Sequence, residues 1–104
     1  MEVREEMLNG FRIAHGAIPY ALADTTLAFA SNSRNKLSMT LTNNISYLRK
    51  IESGDRLVAE SEEVSLQDNY GVYLINIDRQ DQIRLAVFRG TVYRSKHHVD
   101  ERLP

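Results

Sequence analysis

The sequence predicts an α+β domain in which one long apolar helix packs on an antiparallel sheet of about four strands. Three observations carry this reading. An Ala-rich run from Ala14 to Ser33 has the start and stop chemistry of a helix, the hydrophobic period then changes from 3.6 to 2, and turn-forming clusters punctuate the second half.

The helix is placed by three constraints. Alanine is the best helix former, Pro19 is tolerated only in a first turn where its missing N–H costs nothing, and Ser31-Asn32-Ser33 ends the segment. These put the start close to Gly16. Ile18, Leu22, Thr25 and Phe29 fall on one face, and Ala17, Ala21, Asp24 and Ala28 on an adjacent one. Neither face carries Lys or Arg, so the helix is expected to be wrapped on most sides.

After the helix, Leu37, Met39, Leu41, Ile45 and Tyr47 alternate with Ser38, Thr40, Thr42, Asn44 and Ser46, the pattern of a half-buried strand. Ser53-Gly54-Asp55 reads as a turn, Arg56 to Leu66 as a second strand, and Gln67-Asp68-Asn69 as another turn. Tyr70 to Asp78 and Ile83 to Ser95 complete the set, rich in β-branched and aromatic residues and separated by residues 79–82. A single domain is expected over residues 1–95, with a polar, frayed tail over 96–104.

Composition removes several function classes. The 104 residues carry 13 Lys plus Arg against 14 Asp plus Glu, so no long-range field draws the chain to nucleic acid. Cysteine is absent, and two of the three histidines adjoin in the tail, which leaves poor material for a metal site or a redox cofactor. The acidic start, Met1 to Glu6, is followed by no signal-type apolar run, and no segment approaches a membrane span. A cytoplasmic protein without membrane or nucleic-acid partners is the expectation.

Two features bear on chemistry. Asp24 interrupts an apolar helix and has no basic residue three or four positions away, so local pairing cannot offset its desolvation. It is either a base activated by its surroundings or a carboxylate bonded to backbone at a wet edge. Asn9-Gly10 and His15-Gly16 precede the helix, where unpaired N–H groups and the helix dipole favour developing negative charge. An ordinary turn accounts for the same residues. Gly16 and Asp24 are eight residues apart on one helix, roughly 12 Å, so both reach one reacting carbon only if a second helix lies antiparallel across a twofold axis.

The ordered set Leu8-Asn9-Gly10, His15-Gly16, Ala21-Leu22-Ala23-Asp24-Thr25 and Ala28 to Ser33 resembles the hotdog-fold thioesterases of the phenylacetic acid degradation type. The resemblance continues through Asn44 to Arg49, Gly54-Asp55 and Val87 to Arg94, nearly the whole chain. It implies a central helix wrapped by an antiparallel sheet, homodimers that pair edge to edge and assemble into homotetramers, and hydrolysis of acyl-CoA esters, often aryl or hydroxyaryl ones such as phenylacetyl- or hydroxyphenylacetyl-CoA. It further implies that Asp24 is general base or nucleophile, that the Gly16 N–H polarises the thioester carbonyl, and that Asn9 and His15 help seat it. Thr40 is the nearest match to a hydroxyl that positions the water in some relatives. Apart from the resemblance, Arg89, Arg94 and Lys96 cluster near the end of the last strand, where they either meet the CoA phosphates or form a solvated basic rim. No cofactor is implied.

Two departures from the family pattern have expected consequences. Ala17 stands where many relatives have a second glycine, which should narrow substrate size. Met1-Glu2-Val3 aligns with the middle of the family's first strand, so that strand is expected to be largely missing and a sheet edge left open. The same fold also admits an acyl-CoA hydratase or dehydratase, or a noncatalytic acyl-CoA-binding domain; release of free thiol separates these from a thioesterase.

Overall fold

The computed structural model describes residues 1–7, 16–33 and 36–98. A 3₁₀ turn, Glu5–Met7, precedes helix α1, Ala17–Asn32, and strands β1, Lys36–Tyr47, β2, Leu57–Leu66, β3, Tyr70–Arg79, and β4, Arg84–His98. The strands form one antiparallel sheet in the order β1-β4-β3-β2. The expected helix and four strands are therefore all present. The last strand runs three residues further than expected, because Lys36 pairs with His98 and draws the start of the predicted tail into the sheet; residues 99–104 lie outside the described residues.

Helix α1 opens at Gly16 without a side-chain cap and holds Pro19 in its first turn, where no intrahelical donor is lost. Thr25 and Thr26 return their hydroxyls to the carbonyls of Ala21 and Leu22, at 2.9 and 2.8 Å, so these β-branched residues sit in a helix with their polar groups satisfied. The Ser33 N–H donates to the Phe29 carbonyl at 3.0 Å and closes the end. Asn32 ties that end to the sheet by accepting from the Ser38 N–H, also at 3.0 Å.

The face that α1 buries is not one of the two expected. Pro19, Ala23, Leu27 and Ser31, spaced by four, are the buried residues. They press on the inner sheet face, where Tyr73, Ile75 and Ile77 of β3 and Phe88, Ala86 and Val92 of β4 form the core. The expectation that the helix is wrapped on most sides is also overturned. The sheet covers one side, and Ala17, Ala21, Asp24, Thr25, Ala28 and Phe29 remain exposed, with Phe29 at 77%.

A bulge in β1 reverses its alternation. Thr40 pairs with Val92 and Thr42 with Thr91, so two steps on β1 answer one on β4 and Leu41 is the extra residue. Beyond it Asn43, Ile45 and Tyr47 pair with Gly90, Phe88 and Ala86 and face the helix. Before it Ser38 and Thr40 face the helix side, and the apolar Met39, paired with Tyr93, turns to the far face.

Met1, Glu2 and Val3 lie against the start of β2. Glu2 bridges to Arg56, the Val3 N–H donates to the Asp55 carbonyl at 2.8 Å, and the Val3 side chain is buried. Gly54 makes the adjoining turn with φ of +89°, a conformation glycine adopts without strain, and donates to the Val3 carbonyl at 2.8 Å.

Candidate active site

Helix α1 runs antiparallel to β1 and is bonded to it at three levels: Gly16 to Tyr47, Tyr20 and Asp24 to Asn43, and Asn32 to Ser38. Eight helical residues rise about 12 Å between levels, close to the span of four or five strand residues. The two elements are thus in step, and the site inherits that spacing.

Asp24 projects from the open face of α1. Its Oδ1 accepts from the Asn43 side-chain amide at 3.4 Å, and the same amide donates to the Tyr20 hydroxyl at 3.0 Å. The Tyr20 ring is held edge-on against Phe88, with centroids 5.4 Å apart. Exposure, not burial, therefore meets the desolvation problem posed by a lone carboxylate in an apolar helix. Beside Asp24 lies an open groove of about 600 Å³ lined by Asp24, Thr25, Ala28, Phe29, Asn32 and Ser33. All of these belong to α1 and its C-cap Ser33, so among the described residues the groove has a floor and no opposite wall.

At the helix start, the Tyr47 hydroxyl donates to the Gly16 carbonyl at 2.9 Å. A Cβ at Gly16 would stand 3.1 Å from that hydroxyl, so a larger residue here would have to displace Tyr47 by a few tenths of an ångström. With no side-chain cap and with Pro19 lacking an N–H, the Ala17 and Ile18 amides complete the first turn. A second depression of about 340 Å³ opens here between Gly16, Pro19 and residues 47–51.

The predicted site residues are only partly brought together. Asp24 and Gly16 sit at different levels of one helix, as their spacing requires. Thr40 lies on the helix side of β1, the face that alternation alone left open. Asn9 and His15 fall outside the described residues. Arg89 is on the far sheet face, between Asn44 and Leu74, because its neighbours Phe88 and Gly90 are turned to the helix. The Arg94 guanidinium donates through Nη1 to the Gln67 carbonyl, beside the turn before β3. Among the described residues no group of three His, Cys, Asp or Glu side chains could hold a metal ion, and no helix is long and apolar enough to cross a membrane.

Three residues of the site were not anticipated: Asn43, Tyr20 and Tyr47. Asparagine is disfavoured within strands, so Asn43 at an inward position was the available signal. Tyr20 stands one helical turn before Asp24, the spacing that stacks side chains on one face.

Comparison with known proteins agrees with this architecture. The thioesterase superfamily model matches residues 11–86. A protein of Archaeoglobus fulgidus is 38% identical over 94 residues, 90% of this chain and 61% of its own length. The acyl-coenzyme A thioesterase PaaI of Escherichia coli is 37% identical over 94 residues, 90% of this chain and 67% of its own length. The chain thus spans about two thirds or less of these curated relatives. The solved structure of the E. coli PaaI protein, from the phenylacetic acid degradation operon, superposes with a TM-score of 0.91 at 36% identity, covering 94% of this chain and 71% of that one. On the strength of these matches and of the helix-on-sheet fold that carries Asp24, the chain belongs to the thioesterase superfamily.

Proposed function

We propose that the protein hydrolyses acyl-CoA thioesters to the free acid and CoA, with Asp24 as the group that activates water. The observation that carries this reading is the position of Asp24: the one charged side chain of α1, on its open face beside a groove of about 600 Å³. The similarity to an acyl-coenzyme A thioesterase supports the reaction class. The exposed Phe29 ring in the groove suits an aryl acyl group such as phenylacetyl or hydroxyphenylacetyl.

In this reading the site is completed by a second copy. Strand β1 is an edge of the sheet, and antiparallel pairing of two β1 edges about a twofold axis extends the sheet with both helices on one side. Gly16 is level with Tyr47 and Asp24 with Asn43. A register that sets Tyr47 of one copy opposite Asn43 of the other, with the axis at Ile45, therefore brings each helix start level with the other copy's Asp24. Association of two such dimers gives the homotetramer.

Asp24 then takes a proton from water as the oxygen attacks the thioester carbonyl carbon. Charge developing on the carbonyl oxygen faces the N–H of Gly16 and the first-turn amides, and Asn9 and His15 are proposed to help seat that oxygen. Collapse breaks the carbon–sulfur bond, and the proton on Asp24 passes to the departing CoA thiolate. Attack by the carboxylate itself, through an anhydride that water then opens, uses the same residues. Thr40 is proposed to orient the water.

The test is thiol release from a short panel of aryl and aliphatic acyl-CoAs, with Asp24→Asn alongside. Turnover by the parent, lowered by about 10²–10⁴-fold in the variant, is expected. Equal thiol release by both, or binding of acyl-CoA without release by the parent, overturns the proposal.

A further inference from the structure

We infer that Asn43 is a positioning residue for the Asp24 carboxylate, held in place by Tyr20 on one side and by the bare backbone of Gly90 on the other. The inference rests on the reading of Asp24 as the reacting carboxylate. Asn43 follows the β1 bulge by two residues, and the phase reversal at Leu41 is what turns its side chain toward the helix. The amide has two N–H donors and can reach Tyr20 at 3.0 Å and Asp24 at 3.4 Å together.

The other end of the amide is informative. Asn43 Oδ1 is buried and has no hydrogen-bond partner among the described residues. An amide placed only to satisfy itself would pair its carbonyl first, since an unpaired buried acceptor is costly. Here the donors are spent on Tyr20 and the carboxylate while the acceptor goes without. Rotating the amide by half a turn would set its oxygen against Asp24 Oδ1, acceptor against acceptor, so the carboxylate fixes the orientation. Gly90, paired with Asn43 across β1 and β4, makes the seat possible, because a Cβ there would stand 3.0 Å from Asn43 Oδ1.

The consequence for the reaction is geometric. Asn43 ties Oδ1 of Asp24 to the sheet, fixes the carboxylate plane, and leaves Oδ2 to meet the water. Tyr20, braced on Phe88, keeps the amide from swinging away. No proton passes through Asn43; it acts through Asp24.

Two measurements test this on the full chain. The first is the split of kcat from KM. Asn43→Leu, similar in size and without donors, and Asn43→Asp, similar in shape with a second negative charge, should each lower kcat by about tenfold to a hundredfold with KM nearly unchanged. In an Asp24→Asn background the same changes should do nothing more, since the group being positioned is gone. The second is the side-chain amide resonances of Asn43, which should move when Asp24 is changed to Ala. Thermal melts of each variant separate loss of positioning from loss of fold, and Asn43→Asp is retained if Asn43→Leu fails to fold. If the parent releases no thiol, the thioesterase reading fails alone, and the resonances still decide the role of Asn43. Unaltered kcat in the folded variants, or amide resonances indifferent to Asp24, overturns the inference.

Discussion

Leu27 lies so close over Gly90 that a Cβ built on the glycine would stand 2.5 Å from one Leu27 methyl and 3.1 Å from the other. Leu27 is 1% exposed at the centre of the buried helix stripe, with little room to turn aside. Gly90→Ala should therefore destabilise the fold by about 1–3 kcal/mol through overpacking, despite the usual weakness of glycine in a strand. Leu27→Ala should cost about 2–5 kcal/mol through the void it leaves. The double variant should be less unstable than the sum, by about 0.5–3 kcal/mol, because the new methyl fills space that Leu27 vacated. Urea denaturation of the four proteins measures each quantity.

Asp24→Asn separates function from stability. The side chain is exposed, and among the described residues Asn43 bonds it at 3.4 Å. Unfolding free energy should stay within about 0.5 kcal/mol of the parent. Thiol release should fall by about 10²–10⁴-fold, the range expected when a positioned base is removed. Steady-state kinetics and a denaturation curve on the same preparation check both.

These relationships explain which parts of the fold were readable from sequence. The ends of α1 and the order of strands followed from Pro19, Ser31-Asn32-Ser33, Gly54 and the alternation of β3, features whose chemistry is local. The orientation of α1 did not, because Ala, Leu, Ile and Phe occupy every side of it and polarity offers no contrast. The choice fell to shape: Ala23 and Leu27 fit against the sheet over Gly90, and the bulkier Phe29 was left outside. Leu37, Met39, Leu41, Ile45 and Tyr47 share one phase of the alternation, interrupted at Asn43, yet the bulge at Leu41 divides them between two faces. Asn43 shares the phase of Ile45 and Tyr47, so its place beside them was legible; its contact with Asp24 was not, because that depends on the orientation of α1. Asp24 stood out for its charge, but its exposure in the single chain depended on the orientation of the helix.

Tyr47 and Gly16 form a second pair whose coupling can be measured. Gly16 has helical φ and ψ, −56° and −25°, so alanine meets no backbone strain there. Its methyl would meet the Tyr47 hydroxyl at 3.1 Å and push the ring by a few tenths of an ångström. Gly16→Ala should lower kcat/KM by about tenfold, the scale at which small misplacements act on a positioned site. Tyr47→Phe removes the hydroxyl at the point of contact and should restore part of that loss when combined with Gly16→Ala. Kinetics of the two single variants and the double variant give the coupling.

The turn between β3 and β4 gives a pH-dependent signature. Two bonds from the Arg79 guanidinium, at 2.8 and 2.7 Å, hold the Asp81 carboxyl below its ordinary range, aided by the Ile83 N–H. A carboxyl whose folded pKa is depressed contributes stability above its unfolded pKa and loses it as pH falls through the folded one. Parent and Asp81→Asn should therefore differ in melting temperature at neutral pH by a small margin, since the pair is exposed, and converge in acid. Melting curves from pH 7 downward, with salt added to screen the pair, check the sign.

The register proposed for the dimer makes the strictest demand. With the twofold axis at Ile45, Asn44 of one copy stands opposite Ser46 of the other, on the sheet face away from the helices, where both side chains are exposed. The chain has no cysteine, so introduced thiols are the only ones present. Asn44→Cys mixed with Ser46→Cys should cross-link under mild oxidation into a species of twice 11.9 kDa, because directly opposite residues on paired antiparallel strands approach within disulfide reach. Either variant alone should cross-link poorly, since its thiol would face Ser46 or Asn44 of its partner. A one-residue slip would set position 44 opposite Ile45 or Tyr47, whose side chains point to the helix face, and abolish the mixed product. Cross-linking of each variant with itself at equal yield would place the axis elsewhere, and with it the helix start that faces Asp24.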